Sequence, residues 1–186
     1  VTSSPIKGTV PLDVDPLVPA GSGKDRAENV MIVDLVRNDL GRVAVTGSVR
    51  VPELLTVVGA PGVWHLVSTV AAEVPDAVGN DLLLEAAFPP ASVTGTPKIR
   101  AAELIEQWEQ YPRGVYCGAI GLAGPGGLLD LNVAIRTVQI TPGGRTTLGV
   151  GGGITYDSVP EAEWQECLDK AAAIVSQTSS PEHPAV

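Results

Sequence analysis

Two acidic pairs with helical spacing stand toward opposite ends of the chain: Asp25 with Glu28, and Glu163 with Glu166, the latter followed one turn on by Lys170. Residues three apart share a helix face. Carboxylates so placed suit a hard divalent cation such as Mg2+, which takes one or two of them and completes its shell with water and a substrate anion. Such a pair taken alone is more often a solvated face, so spacing leaves the metal as the minority reading. Arg136 lies in the apolar run LLDLNVAIRTVQI (128–140). An arginine in such a strand must meet an anion, because a buried unpaired guanidinium is costly, and a substrate carboxylate and an internal ion pair serve equally. SVTGTPK (92–98) brings Ser92, Thr94 and the Gly95 backbone to a helix start, where free N–H groups suit an anion. Capping by Thr96 explains the Thr-Pro but not the Ser-x-Thr-Gly before it. Lys7, in PIKGT, is a surface lysine by default and a nucleophile if a rigid turn holds it against a metal or in an apolar site. His65, alone between Trp64 and Leu66, reads as structural more often than catalytic.

The elements that must position these residues follow from pattern and punctuation. The first 23 residues carry Pro5, Pro11, Pro16 and Pro19 with Gly8, Gly21 and Gly23, a density that prevents both a helix and a central strand and predicts loop. Ala27, Val30, Met31, Val33, Val36 and Leu40 recur at helical spacing and predict a helix over 24–40, stopped by Gly41. Strands are expected at 43–51 and 62–74, and a short helix at 81–88 ended by Pro89 and Pro90. A helix capped by Thr96 and opened by Pro97 runs to about 110, buried through Ala101, Leu104, Ile105 and Trp108. Strands at 115–122, 128–140 and 145–154 follow, joined by hairpin-type GPGG and PGG connections. Ser158 and Glu161 open a last helix over 159–176. The expected class is α+β, antiparallel sheets flanked by helices, in one domain over 1–177 with a disordered polar tail at 178–186.

Composition limits the function classes. With 44% hydrophobic and 18% charged residues among 186, the chain is a folding one. Its 12 basic against 21 acidic residues give a net charge of −9, which argues against a nucleic-acid backbone or an anionic membrane as partner. Cys117 and Cys167 show no CxxC spacing and no long apolar run is present, which fits a soluble, reducing, cytoplasmic setting. GVGGGIT (149–155) has dinucleotide-like glycines but precedes an acidic helix without a βαβ setting, which argues against that use.

Taken together, PIKGT (5–9), KDRAENVMIVDLVRNDLGRV (24–43), FPPASVTGTPKIRA (88–101), YCGAIG (116–121), DLNVAIRT (130–137), GGGITYDS (151–158) and EAEWQECLDKA (161–171) resemble the C-terminal half of the chorismate-utilising enzymes. The resemblance implies the C-terminal half of the chorismate-binding-domain fold. Within the group, the lysine of PIKGT is similar to the aminodeoxychorismate synthase branch, whereas anthranilate synthases typically carry Ala there. It implies Lys7 as a nucleophile attacking C2 of chorismate with loss of the C4 hydroxyl, and ammonia from a glutamine amidotransferase resolving the adduct. It further implies Glu28 and Glu166 as Mg2+ ligands with Asp25 and Glu163 beside them. Thr9, Ser92, Gly95, Tyr116, Arg136, Gly151 and Lys170 become substrate contacts, and His65 assists near the leaving hydroxyl. The general acid of this family lies upstream of PIKGT, and this chain begins six residues before Lys7, so an incomplete fragment is expected. The alternatives are anthranilate synthase component I, with Lys7 tolerated, and an inactive fragment that binds only metal or a partner.

Overall fold

The computed structural model describes residues 1–156 and 158–178, and the chain divides into two compact units, Val1–Ile99 and the remainder from Arg100. The first unit is built on β4 (Val63–Ala71), whose Leu66, Ser68 and Val70 alternate into the interior with no exposure. β3 (Arg50–Ala60) runs antiparallel along one edge of β4. Along the other edge β1 (Thr2–Ser3) and β2 (Ile6–Pro11) pair in succession, Thr2 opposite Ala71 and Thr9 opposite His65. The proline-rich start is therefore an edge strand and not wholly loop. Prolines bound β2 at Pro5 and Pro11, where the missing N–H costs no inner ladder bond. A short helix α1 (Val18–Gly21) follows, contrary to the expectation of no helix in this stretch, because Pro19 stands in the first turn, where its missing N–H has no intrahelical partner to lose.

Helix α2 (Gly23–Gly41) matches its expected span, begun by Ser22, whose Oγ accepts from the Asp25 N–H at 3.2 Å. Its buried face differs from the expected one: Asn29, Ile32, Val33 and Leu40 are buried, while Ala27, Val30 and Met31 are exposed. The cause is Asn29, a polar side chain at zero exposure whose needs the sheet satisfies. It donates to Leu66 O at 3.2 Å and accepts from Ser68 Oγ at 2.6 Å, and Ser68 Oγ also accepts from the Leu55 N–H at 2.9 Å. Beyond this network, Val33 and Leu40 pack with Val70 and Ala72. The strand expected at 43–51 begins only at Arg50, since 43–49 is turn, and β3 extends to Ala60 through two register shifts near Leu55, whose φ is 55°. Helix α3 (Asn80–Ala87) lies where expected.

The second unit contains most of helix α4 (Lys98–Trp108), two hairpins and helix α5 (Pro160–Thr178). α4 has no buried residue, and Trp108, expected inside, is 74% exposed. β5 (Ala119–Ala123) and β6 (Leu129–Val133) form one hairpin across a single 3-10 turn at Pro125–Gly127, and β7 (Val138–Ile140) and β8 (Thr146–Leu148) form the other. The expected strand 115–122 loses its first four residues to turns, and 149–154 leaves the sheet after Leu148. The expected strand 128–140 is broken. Ala134 still exchanges backbone bonds with Cys117 and Gly118, and then Arg136 takes a φ of 50°, which ends any ladder. α5 includes Thr178; the rest of the expected tail lies outside the described residues. Among the described residues no helix is long and apolar enough to cross a membrane.

Candidate active site

In the first unit the bulge between Ile6 and Thr9 decides the geometry. Gly8 sits there with φ 79°, and a Cβ on it would lie 3.1 Å from Pro19 and 3.2 Å from Asp25. Only a glycine lets β2 approach the first turns of α2 this closely. The approach sets Lys7 Nζ 3.4 Å from Glu28 Oε2, both side chains largely shielded at 23% and 16% exposure, while Lys24 Nζ reaches Glu28 Oε1 at 4.0 Å. Thr9 Oγ1 and His65 Nδ1 lie 2.8 Å apart across the β2–β4 pairing. Consecutive residues of β2 thus meet three different partners, Lys7 with Glu28, Gly8 with Asp25 and Thr9 with His65.

Ser92 and Gly95 are not among these contacts. Ser92 is exposed, and Gly95 lines a cavity of about 230 Å³ with Asn38, Asp39, Arg42 and Lys98. Asn38 and Asp39 are ten or more residues beyond Glu28 on α2, about 15 Å along the axis. The loop is tied there by Lys98, which donates to Asp39 Oδ2 at 2.9 Å and to Ala86 O at 3.2 Å, and by Thr94 Oγ1 donating to Pro90 O at 3.1 Å.

In the second unit the segment after β8 is shaped by Tyr116. A Cβ on Gly149 would fall against the ring carbons of Tyr116, and one on Gly151 would lie 2.7 Å from its hydroxyl, so the glycine run passes directly over the aromatic face. Burial, with Cys117 beside it, pushes the phenol up to about 12. Lys170 Nζ donates to Gly151 O at 3.0 Å and pairs with Glu166 Oε1 at 2.7 Å. Glu163 is buried and its Oε1 accepts from Ser158 Oγ at 2.7 Å. Tyr116, Gly151, Glu163, Glu166 and Lys170 are thus brought together. Arg136 is exposed at its bend, and no ion pair involves it among the described residues.

Each acidic pair supplies hard oxygen donors on one helix face, a donor set that fits Mg2+. Among the described residues no group of three or more His, Cys, Asp or Glu side chains is assembled as a metal cage. Sequence reasoning missed the residues that hold the site: Asn29, Ser68 and Lys98. Asn29 could have been found from its place three, four and seven positions before Ile32, Val33 and Val36.

The profile of the family described as chorismate binding enzyme matches residues 1–176. The chain belongs to this family. It is 50% identical over 182 residues to aminodeoxychorismate synthase component 1 of Salmonella typhimurium, covering 94% of this chain and 40% of that protein. To anthranilate synthase component 1 of Bacillus caldotenax it is 44% identical over 159 residues, covering 86% of this chain and 31% of the relative. The crystal structure of anthranilate synthase component I from Streptococcus pneumoniae superposes with a TM-score of 0.82 at 37% identity, covering 93% of this chain and 39% of that one. The fold is that of the chorismate-binding enzymes, and the chain spans about 40% of the length of the aminodeoxychorismate synthase it matches.

Proposed function

We propose that the protein carrying this chain is an aminodeoxychorismate synthase component I, converting chorismate and ammonia to 4-amino-4-deoxychorismate in the cytoplasm, on the path to folate and para-aminobenzoate. The observation that carries the reading is Lys7, held by the Gly8 bulge 3.4 Å from Glu28, two residues before the Thr9 that meets His65 across the β2–β4 pairing. A lysine whose position is set by main-chain geometry on a bulged edge strand suits a nucleophile.

The Lys7 amine, having passed its proton to Glu28, attacks C2, the ring double bonds shift, and the C4–O bond breaks, the leaving oxygen taking up that proton and departing as water. Ammonia then adds at C4 as the C2–N bond to Lys7 breaks and the amine recovers its electron pair. The net change is one hydroxyl replaced by one amine, with water lost. His65, fixed through Thr9, serves the leaving hydroxyl. Tyr116, the Gly151 backbone, Lys170 and Arg136 bind a substrate carboxylate. Asp25 and Glu28 in the first unit, and Glu163 and Glu166 in the second, are the donors suited to Mg2+, which when bound neutralises a carboxylate of the dianionic substrate. Ammonia comes from a glutamine amidotransferase partner, and no nucleic acid or membrane takes part.

Product analysis of the whole protein with chorismate, Mg2+ and ammonium tests this reading. Accumulation of 4-amino-4-deoxychorismate is expected. Direct formation of anthranilate without a lyase would assign the chain to the anthranilate synthases, and no turnover by the whole protein would leave only a binding role.

A further inference from the structure

Arg113 lies outside every role given above, yet two kinds of contact connect it to Tyr116. Its carbonyl accepts the Tyr116 N–H at 3.1 Å, closing a turn that includes Gly114 at φ 61°, and its guanidinium stands 5.8 Å from the Tyr116 ring centroid. The guanidinium is itself fixed. Its Nε donates to Glu109 Oε2 at 2.9 Å and its Nη2 to Glu109 Oε1 at 2.6 Å, a two-pronged pair anchored just past the end of α4. The same hydrogen bonds hold the Glu109 carboxyl below its ordinary value and the Arg113 guanidinium above its own. From β7, Gln139 donates to Arg113 O and accepts from the Val115 N–H, each at 3.4 Å, gripping the turn from another side. The backbone of Gly149 and Gly151 confines the ring and its hydroxyl.

We propose that Arg113, locked by Glu109, is a positioning residue that aims the Tyr116 hydroxyl at a substrate carboxylate. The inference rests on the reading of Tyr116 as a carboxylate contact and adds to it a determinant of substrate affinity that does not touch substrate. Lysine would keep the charge and lose the fork, so the site needs arginine.

The test is steady-state kinetics of the whole enzyme with chorismate and ammonium, comparing wild type, Tyr116→Phe, Arg113→Met and the double variant. Loss of a hydrogen bond to a charged group, felt equally in ground and transition states, should raise the KM for chorismate about tenfold at unchanged kcat. Arg113→Met should match Tyr116→Phe, and adding it to Tyr116→Phe should raise KM no further. Glu109→Gln should move KM the same way by less, and it serves as the measurement if Arg113→Met does not fold. Additive effects in the double variant, or a fall in kcat at constant KM with a lowered melting temperature, would mean that Arg113 is merely structural and would overturn the proposal alone. An unchanged KM in Tyr116→Phe would overturn the carboxylate role of Tyr116 and the positioning role with it.

Discussion

The two clusters of candidate residues are built by opposite means. In the first unit, Lys7 and Glu28 meet because distant elements are bolted together: a bulged edge strand against α2, and α2 against β4 through the buried Asn29–Ser68 pair. In the second, Lys170 and Glu166 lie one turn apart on the same helix, and the precision comes from bare backbone, with Gly149 and Gly151 passing over Tyr116. The first arrangement is vulnerable at remote polar positions. The second is vulnerable wherever a side chain is added.

The largest effect belongs to Lys7→Ala, which removes the reacting atom itself and should cut amination on the order of 10³-fold or more while Mg2+ binding, read by calorimetry, is retained or strengthened, because the cation paired with Glu28 is gone. Next is Gly149→Ala. Its Cβ would meet the Tyr116 ring, and such overpacking should cost about 1–3 kcal/mol in chemical denaturation and displace Tyr116, raising the KM for chorismate. Asn29→Ala should destabilise by about 1–3 kcal/mol, because it leaves Ser68 and Leu66 O without their buried partner. If the comparison holds, Asn29→Ala impairs the chemical step at Lys7 and leaves the KM contribution of Tyr116 alone, whereas Gly149→Ala does the reverse.

A smaller effect is a pH dependence confined to the second cluster. The Tyr116 phenol is raised from 10.0 to about 12 in the folded protein, chiefly by burial. The unfolded chain therefore loses this proton first, and stability fully present below pH 10.0 should fall as pH rises to about 12. Denaturation midpoints across this range should show that loss, and Tyr116→Phe should remove it.

Much of the first cluster could be read from residue types and spacing, because a helix fixes i, i+3 geometry locally: Asp25 and Glu28 needed only α2 to form. The strand carrying Lys7 was hidden by its prolines, which exclude central strands but not an edge strand bounded by them. The break at Arg136 was illegible, since nothing in the apolar run 128–140 announces a positive φ at a non-glycine residue. The purpose of Gly149 and Gly151 was equally hidden, because the ring they accommodate lies more than thirty residues away in the chain. Asn29 marks an intermediate case: its position on the apolar face was visible, but its partner Ser68 was supplied by the sheet.

The central claim is that Lys7 forms a covalent bond to the substrate, and peptide mapping by mass spectrometry tests it most directly. Whole enzyme incubated with chorismate and Mg2+ without ammonia, then quenched and digested, should carry a chorismate-derived adduct, less one water, on the peptide containing PIKGT, and Lys7→Ala should carry none. An unmodified peptide together with undiminished amination by Lys7→Ala would contradict the covalent mechanism and favour direct attack by ammonia.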